Sequence, residues 1–326
     1  MSIFTRIKKA IPEFSEQSQI VKDSYGGNRA FYCLDMLWCL IRYGARPIDY
    51  TRFEFHRKSC KERNRYLTIM RYFKMVPLFR KNYKVENSKS DEYKAFSDFV
   101  HRDWVQIDIN TPNEIIDSFL KKHKCVILKP NRGEQGKGVR KLDSTDFNNT
   151  LELINSLRKE REYILEEALS NHPVINLINP SSLNTIRAYT LTDFNKKTTI
   201  LGIMLRVGVE GNDVDNWGSG GIGYNFDIDT GICDCYGRDK LNNPYLFHPC
   251  SNVQMIGFKL PQFKELKSYI FKLTQSSPDA HFVGWDIAIT PNGYELVEVN
   301  CPGGHDFLQA FGKPFGDVLR KVLNKT

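Results

Sequence analysis

Residues 285–300 read WDIAITPNGYELVEVN. Two alternating apolar runs flank Pro291-Asn292-Gly293, the composition of a turn between paired strands, and such a hairpin brings Asp286 close to Glu298 and Asn300. Side chains alternate across a strand, so Glu298 and Asn300 share one face while Val297 and Val299 share the other. No Lys or Arg lies within the hairpin, so two carboxylates and an amide oxygen converge there without an internal counter-charge. Hard oxygen donors in that arrangement suit Mg²⁺, which binds few protein carboxylates and completes its octahedron with water and phosphate. The segment reads as a nucleotide-metal site; taken alone, it is equally compatible with a surface hairpin carrying incidental polar residues.

Upstream, residues 125–141 read CVILKPNRGEQGKGVRK. An apolar run delivers Lys129 and Pro130, then Gly133, Gly136 and Gly138 punctuate a basic loop before a second strand begins. Glycines let backbone N–H groups approach phosphate oxygens closely. A Walker A loop would need Ser or Thr after Lys137 at a helix start, but Gly138 and a strand follow. A dinucleotide fingerprint would open a helix, which this loop does not do. A glycine-rich flap between two strands remains, able to fold over a triphosphate; an ordinary hairpin fits the glycines alone.

Taken in order, these segments resemble the ATP-grasp superfamily. The resemblance also rests on Tyr163-Ile164-Leu165-Glu166-Glu167, on Ser181-Ser182-Leu183-Asn184-Thr185-Ile186-Arg187 and on Asp215-Asn216-Trp217-Gly218-Ser219-Gly220-Gly221, and it closes with Gly284-Trp285-Asp286 and Glu298-Val299-Asn300. The wording NTIR, DNWGSGG and GWDIAIT is most similar to the sugar-transfer-associated branch, linked with bacterial surface-polysaccharide biosynthesis. The resemblance spans roughly residues 90–310, with a weaker extension at Arg42-Tyr43-Gly44 and Asp49-Tyr50. It implies an α+β ATP-grasp fold, two subdomains clamping ATP; the residue pattern ahead of it reads as a mostly helical N-terminal region.

The resemblance also assigns roles. ATP and Mg²⁺ are the implied cofactors, with Asp286, Glu298 and Asn300 as metal ligands. Lys94 is the candidate for the family's earlier phosphate lysine, with Lys89 as the alternative. Glu166, Glu167 and Ala168 end the strand where adenine is read through backbone groups, and Asn184 corresponds to a residue reaching ribose or a metal-bound phosphate. Gly133, Gly136 and Gly138 form the lid. Lys129 ends an apolar strand, where a buried unpaired ammonium is costly, so an anion is expected beside it, a phosphate ahead of a protein carboxylate. Arg187 and Arg206 alternate with apolar residues and present guanidinium forks into a pocket, suited to phosphate or an oxyanion. Many ATP-grasp ligases carry an arginine two residues before the metal aspartate; here that residue is Gly284, which leaves the oxyanion role to Arg187 or Arg206. Asn216, Ser219, Gly220 and Gly221 are candidates for the acceptor side. His172, His248 and His305 read as structural, with His305 the one to test first because it follows the metal site.

The activity implied is an ATP-dependent carboxylate ligase working through an acyl phosphate, a small-molecule carboxylate meeting an amine or hydroxyl acceptor, with an amino acid or other acid or amine joined to a sugar or sugar-linked substrate. Alternatives are a kinase on the same fold and a non-catalytic nucleotide-binding module. No Ser-His-Asp or Cys-His signature competes with these readings.

Composition fits a cytoplasmic enzyme. The chain has 326 residues, room for two or three subdomains, and its opening MSIFTRIKKAIPEF lacks the continuous apolar segment of a secretory signal. Eight cysteines without a paired CxxC framework read as reduced thiols, and Cys301 as a packing residue. Residues 1–81 carry 17 Lys plus Arg against 7 Asp plus Glu, net +10, which exceeds the whole-chain excess of +8. That region reads either as a solvated basic surface or as a guide for an anionic partner such as a sugar nucleotide, an anionic polymer or a membrane surface; nucleic acid is disfavoured because no recognition motif accompanies the charge. Leu34, Leu37, Trp38 and Ile41 recur at helical spacing and predict an amphipathic helix with this face inward.

The expected organisation is a helical region over 1–90, with a polar linker at 82–90, then a small subdomain with the glycine-rich lid over 91–168 and a large subdomain with the metal site over 169–326. Within the small subdomain, Thr111 and Glu114 predict a capping box, and Phe147, Leu151 and Ile154 mark the apolar face of a helix.

Overall fold

In the computed structural model, which describes residues 3–80, 83, 85, 88–133, 137–209, 215 and 217–323, the elements form one helical and two helix-and-sheet assemblies. The first is helical: α1 (Ile3–Tyr25), α2 (Arg29–Tyr43), α3 (Pro47–Arg52), α4 (Cys60–Asn64) and α5 (Ile69–Phe79). Its core is aromatic, with Tyr43, Tyr50, Phe53, Phe55 and Tyr66 around Met36 and Cys39.

The second begins with α6 (Lys89–Ala95) and contains β1 (Trp104–Ile107), α7 (Asn113–Lys122), β2 (Cys125–Pro130), β3 (Arg140–Asp143), α8 (Phe147–Leu157) and β4 (Tyr163–Glu167). The sheet is antiparallel in the order β1-β4-β2-β3. Ile154 is buried against Val126, Leu128 and Leu165, with Phe147 and Leu151 packed beside it, as the helical spacing predicts. The capping box does not form. Pro112 is the N-cap of α7, and Thr111 instead bonds its hydroxyl to Asp108, closing the preceding turn. Of the expected linker, the described Tyr83 and Val85 pack against the large core.

The third contains α9 (Pro173–Asn176), β5 (Thr185–Thr192), β6 (Thr198–Val207), β7 (Ile222–Phe226), β8 (Gly237–Arg238), β9 (Pro244–Tyr245), α10 (Phe263–Ser276), β10 (Phe282–Thr290), β11 (Gly293–Asn300), α11 (Phe307–Ala310) and α12 (Gly316–Leu323). Seven strands run in the order β11-β10-β5-β6-β7-β8-β9. Strand parity divides the two faces. Ile186, Ala188, Val283, Trp285 and Ile287 pack toward α10, whereas Tyr189, Leu191, Met204 and Phe282 pack under Phe79, Phe307, Phe311 and Phe315. The helical region is tied to this second face: Leu67 and Gln309 exchange two hydrogen bonds at 2.9 Å, and His305 meets Asp49 at 3.1 Å.

One expectation is inverted. Leu34, Leu37, Trp38 and Ile41 are exposed, and the buried side of α2 is Met36, Cys39 and Tyr43. Asp35 decides this. Its carboxylate accepts 2.7 and 2.8 Å bonds from both terminal nitrogens of Arg63 and a 2.7 Å bond from the Tyr50 hydroxyl, so the polar residue of the apolar run is the one drawn inward.

Candidate active site

The hairpin forms as its turn chemistry predicts. The Thr290 hydroxyl accepts from Asn292 N–H and donates to Gly293 O, and Gly293 takes φ +128°, open to glycine. Asp286 pairs with Glu298 and Gly284 with Asn300, while Ile287 pairs with Leu296, so a β-bulge at Val297 keeps Asp286, Glu298 and Asn300 on one face.

Counter-charges absent from the hairpin arrive from neighbouring strands. Asp286 lies opposite Arg187 across β5 and is 2% exposed. Arg187 reaches both of its oxygens, through Nε to Oδ1 and through Nη2 to Oδ2 at 2.9 Å; Arg206 adds a 3.0 Å contact to Oδ2. Burial alone would raise the Asp286 carboxyl, but Arg187 and then Arg206 hold it below the usual carboxylate range. Asp215, whose role the sequence did not signal beyond its place in the DNWGSGG run, accepts 2.8 Å from Thr185 N–H and lies 3.6 Å from Arg206. Burial raises its carboxyl, against the pull of Arg206. Asp286 is therefore closed by arginines, and the more open oxygens belong to Glu298 and Asn300.

The helix that opens the second assembly supplies the other wall. Ser88 caps α6, and its first N–H groups bond Asn131 at the base of the flap: Lys89 N–H to Asn131 O at 2.9 Å and Ser90 N–H to Oδ1 at 3.0 Å. Lys89 Nζ then lies 3.1 Å from Gly133 O and 3.6 Å from Glu298, between lid and hairpin. Lys94 is exposed on the far side of α6, so the structure places Lys89, and not Lys94, beside the site. Glu92, which the sequence reading missed, is buried and accepts 2.9 Å from Val299 N–H; burial and then the charge of Glu298 push its carboxyl well up.

Lys129 is buried, as expected of a strand-end ammonium, and its partner in this structure is a protein carboxylate: Glu166 Oε1 at 2.8 Å. Glu166 also accepts from Arg102 at 2.9 Å and the Tyr93 hydroxyl at 2.8 Å. Its side chain is thus committed to the core. Burial opposes the charge, but Arg102 and then Lys129 lower its pKa to about 2. At the end of β4, Glu167 N–H bonds Asp103 O and Ala168 N–H bonds Cys125 O, at 2.9 and 3.3 Å.

Other assignments separate from the site. Asn184 is enclosed, donating 2.6 Å to Asn179 O while its oxygen accepts from Gly208 N–H and the Ser182 hydroxyl, so both ends of its amide are bonded within the protein. His305 stacks on Tyr72 and joins Asp49, a tie between the helical region and the large sheet. Of the flap glycines, Gly133 and Gly138 take φ +148° and +78°; Gly136 lies outside the described residues, as do Asn216 and the side chain of Ser219. Gly220, at φ +107°, and Gly221 follow a short 3₁₀ turn at Trp217–Ser219, whose indole donates to Arg238 O. Cys301 packs beside the large core, and burial raises its thiol to about 12, far from a thiolate nucleophile.

The donor set of Asp286, Glu298 and Asn300 is all oxygen, without sulfur or imidazole, and fits a hard divalent cation. Around it, Lys89, Arg187 and Arg206 face Asp215, Asp286 and Glu298, and these cations fit an anionic ligand such as a polyphosphate.

A glycine flap over one sheet and an acidic hairpin on the next define an ATP-grasp architecture, α+β with a helical N-terminal region. The sequence profile of the family described as sugar-transfer associated ATP-grasp matches residues 100–326, and the chain belongs to that family. No curated protein matches it. Among solved structures it is similar to D-alanyl-alanine synthetase A from Vibrio cholerae (16% identity, TM-score 0.47), covering 74% of this chain and 65% of that one, so it spans a little under two thirds of that enzyme. It is also similar to the ATP-grasp ligase PsnB complexed with minimal precursor (13%, TM-score 0.45, 81% and 69% covered). A third similar structure is D-alanine–D-alanine ligase from Bacillus anthracis complexed with ATP (15%, TM-score 0.43, 73% and 65%).

Proposed function

We propose that this chain is an ATP-dependent carboxylate ligase, cytoplasmic, that joins a small-molecule acid to an amine or hydroxyl acceptor carried on a sugar, in surface-polysaccharide biosynthesis. The observation that carries the reading is the convergence of Lys89, Arg187 and Arg206 on the face that presents Asp286, Glu298 and Asn300. Buried guanidinium groups beside open oxygen donors suit a site that exchanges protein carboxylates for the phosphates of Mg-ATP.

In this reading Glu298, Asn300 and Asp286 would hold Mg²⁺, which when bound supplies charge neutralisation on the β- and γ-phosphates. Gly133 and Gly138 frame the lid, and Lys89 and Lys129 supply positive charge near its base. A carboxylate oxygen of the acid attacks the γ-phosphorus and ADP leaves; the acceptor N–H or O–H group then attacks the acyl carbon, inorganic phosphate leaves with the original carboxylate oxygen, and the acceptor's proton passes to that phosphate. Arg187 or Arg206 stabilises the oxyanion. No protein nucleophile is required, consistent with the raised thiol of Cys301. The proposed units are 1–90, 91–168 and 169–326, the first boundary shifted to Lys89 where α6 begins, with the last two closing on the nucleotide.

The test is a phosphate-release screen of amino acids against uronic acids and nucleotide sugars with Mg-ATP, followed by ¹⁸O-labelled acid on the active pair. Label in the released phosphate is the expected result. A stable phosphorylated product without free phosphate would identify a kinase, and absence of nucleotide binding a non-catalytic module.

A further inference from the structure

The exposed side of α2 is an apolar stripe. Phe31, Leu34, Leu37, Trp38 and Ile41 lie on one side of the helix and are 46–73% exposed. The stripe continues past the helix end, because Met70 packs over Gly44, where a Cβ would come within 2.9 Å of the methionine Cβ, and Met70 and Phe73 of α5 are exposed in turn. At its other end an apolar cleft of about 500 Å³ opens between α1 and α2, lined by Ile11, Phe14, Ala30 and Cys33 with Ser15 and Arg29. A soluble monomer seldom leaves a contiguous face of this kind uncovered.

The surroundings indicate what covers it. Arg42 and Arg71 both stack on the Tyr43 ring, at 5.8 and 5.7 Å, where the stripe meets α5, and exposed Lys74 lies one turn further along α5. These belong to the region of net +10. Apolar side chains that include a half-exposed tryptophan, bordered by arginine and lysine, match the needs of a helix lying in the headgroup layer of an anionic bilayer: the rings and aliphatic groups enter the acyl boundary and the cations meet lipid phosphates. A second copy is a poorer occupant, since a two-fold contact would set one +10 region against another.

We infer that α2, with the adjoining start of α5, docks this protein on an anionic membrane surface, which would bring the ligase site proposed above to acceptors held at that surface. Docking itself is read without nucleotide or acceptor, so its failure is distinct from failure of the ligase reading.

The experiment is co-sedimentation of the full chain with phosphatidylglycerol-containing vesicles and with phosphatidylcholine vesicles, alongside tryptophan fluorescence. Trp104, Trp217 and Trp285 are more buried than Trp38, so a blue shift on the anionic vesicles reports Trp38 and disappears in Trp38→Phe. Leu34→Glu with Ile41→Glu, both at exposed positions, is expected to weaken binding roughly tenfold or more at unchanged melting temperature. Arg42→Glu with Lys74→Glu is expected to weaken it and flatten its salt dependence. Absence of binding to the anionic vesicles, or binding that Leu34→Glu with Ile41→Glu leaves intact, overturns the proposal. So does a dimer in sedimentation velocity that this double variant dissociates while vesicles capture neither form; the face would then belong to a second copy.

Discussion

Arg187 lies over Gly284: a Cβ on that glycine would stand 3.1 Å from Arg187 Cδ, and the guanidinium passes across the vacant side-chain space to hold Asp286. Residue 284 of β10, two before Asp286, carries no side chain, and the neighbouring strand brings Arg187 to that carboxylate.

Gly284→Val therefore displaces Arg187 without removing any charged group. The expected result is a 10- to 100-fold loss in ATP-dependent phosphate release, about 1.4–2.7 kcal/mol in the transition state, with near-normal folding by circular dichroism. Gly284→Ala, which asks the arginine to give by a few tenths of an ångström, falls between. Wild-type kinetics in the valine variant would remove Arg187 from the chemistry.

Asp286 and Glu298 should separate by stability. Glu298→Gln alters a side chain that is 35% exposed and 3.6 Å from Lys89, so turnover should fall by roughly 100-fold or more with little change in melting temperature. Asp286→Asn leaves buried Arg187 without its carboxylate and Arg206 with only Asp215 at 3.6 Å, and should also destabilise the fold by about 3–5 kcal/mol. Urea titrations that find the two variants equally stable would contradict the arginine clamp.

Lys89→Ala is expected to raise the KM for ATP several-fold, whereas Lys94→Ala should leave it unchanged, because Lys89 stands between Gly133 and Glu298 and Lys94 faces solvent. Steady-state kinetics on the two variants decide the assignment; the reverse pattern would restore Lys94.

Glu166 links Lys129 and Arg102, and its folded pKa of about 2 lies below that of an unfolded glutamate. A depressed carboxylate contributes stability fully above the unfolded pKa and loses it as pH falls through the folded one. Wild-type stability should therefore decline from about pH 5 towards pH 2, by on the order of 2–3 kcal/mol from this group. Glu166→Gln should lose stability at neutral pH and show a flatter acid limb in denaturant titrations. An unchanged limb would mean that other carboxylates govern acid unfolding.

Strand identity and the turn were legible in the sequence because they are local: alternation puts Glu298 and Asn300 on one face and Pro-Asn-Gly settles where the chain turns, whereas Asp286 joins that face only through the bulge at Val297, which alternation does not reveal. Helical spacing likewise grouped Leu34, Leu37, Trp38 and Ile41 correctly. Spacing fixes which side chains share a face but carries no information about which way that face points. Arg63, 28 residues from Asp35, decided that, by drawing Asp35 inward and turning the apolar side out. The charge balance of the site was hidden for the same reason. Arg187 is 99 residues from Asp286, and only strand order places them together; Lys89 reaches Glu298 only because Asn131 holds the start of α6. Tertiary structure decided these pairings, since an ion pair depends on distance in space and side-chain parity describes a single strand.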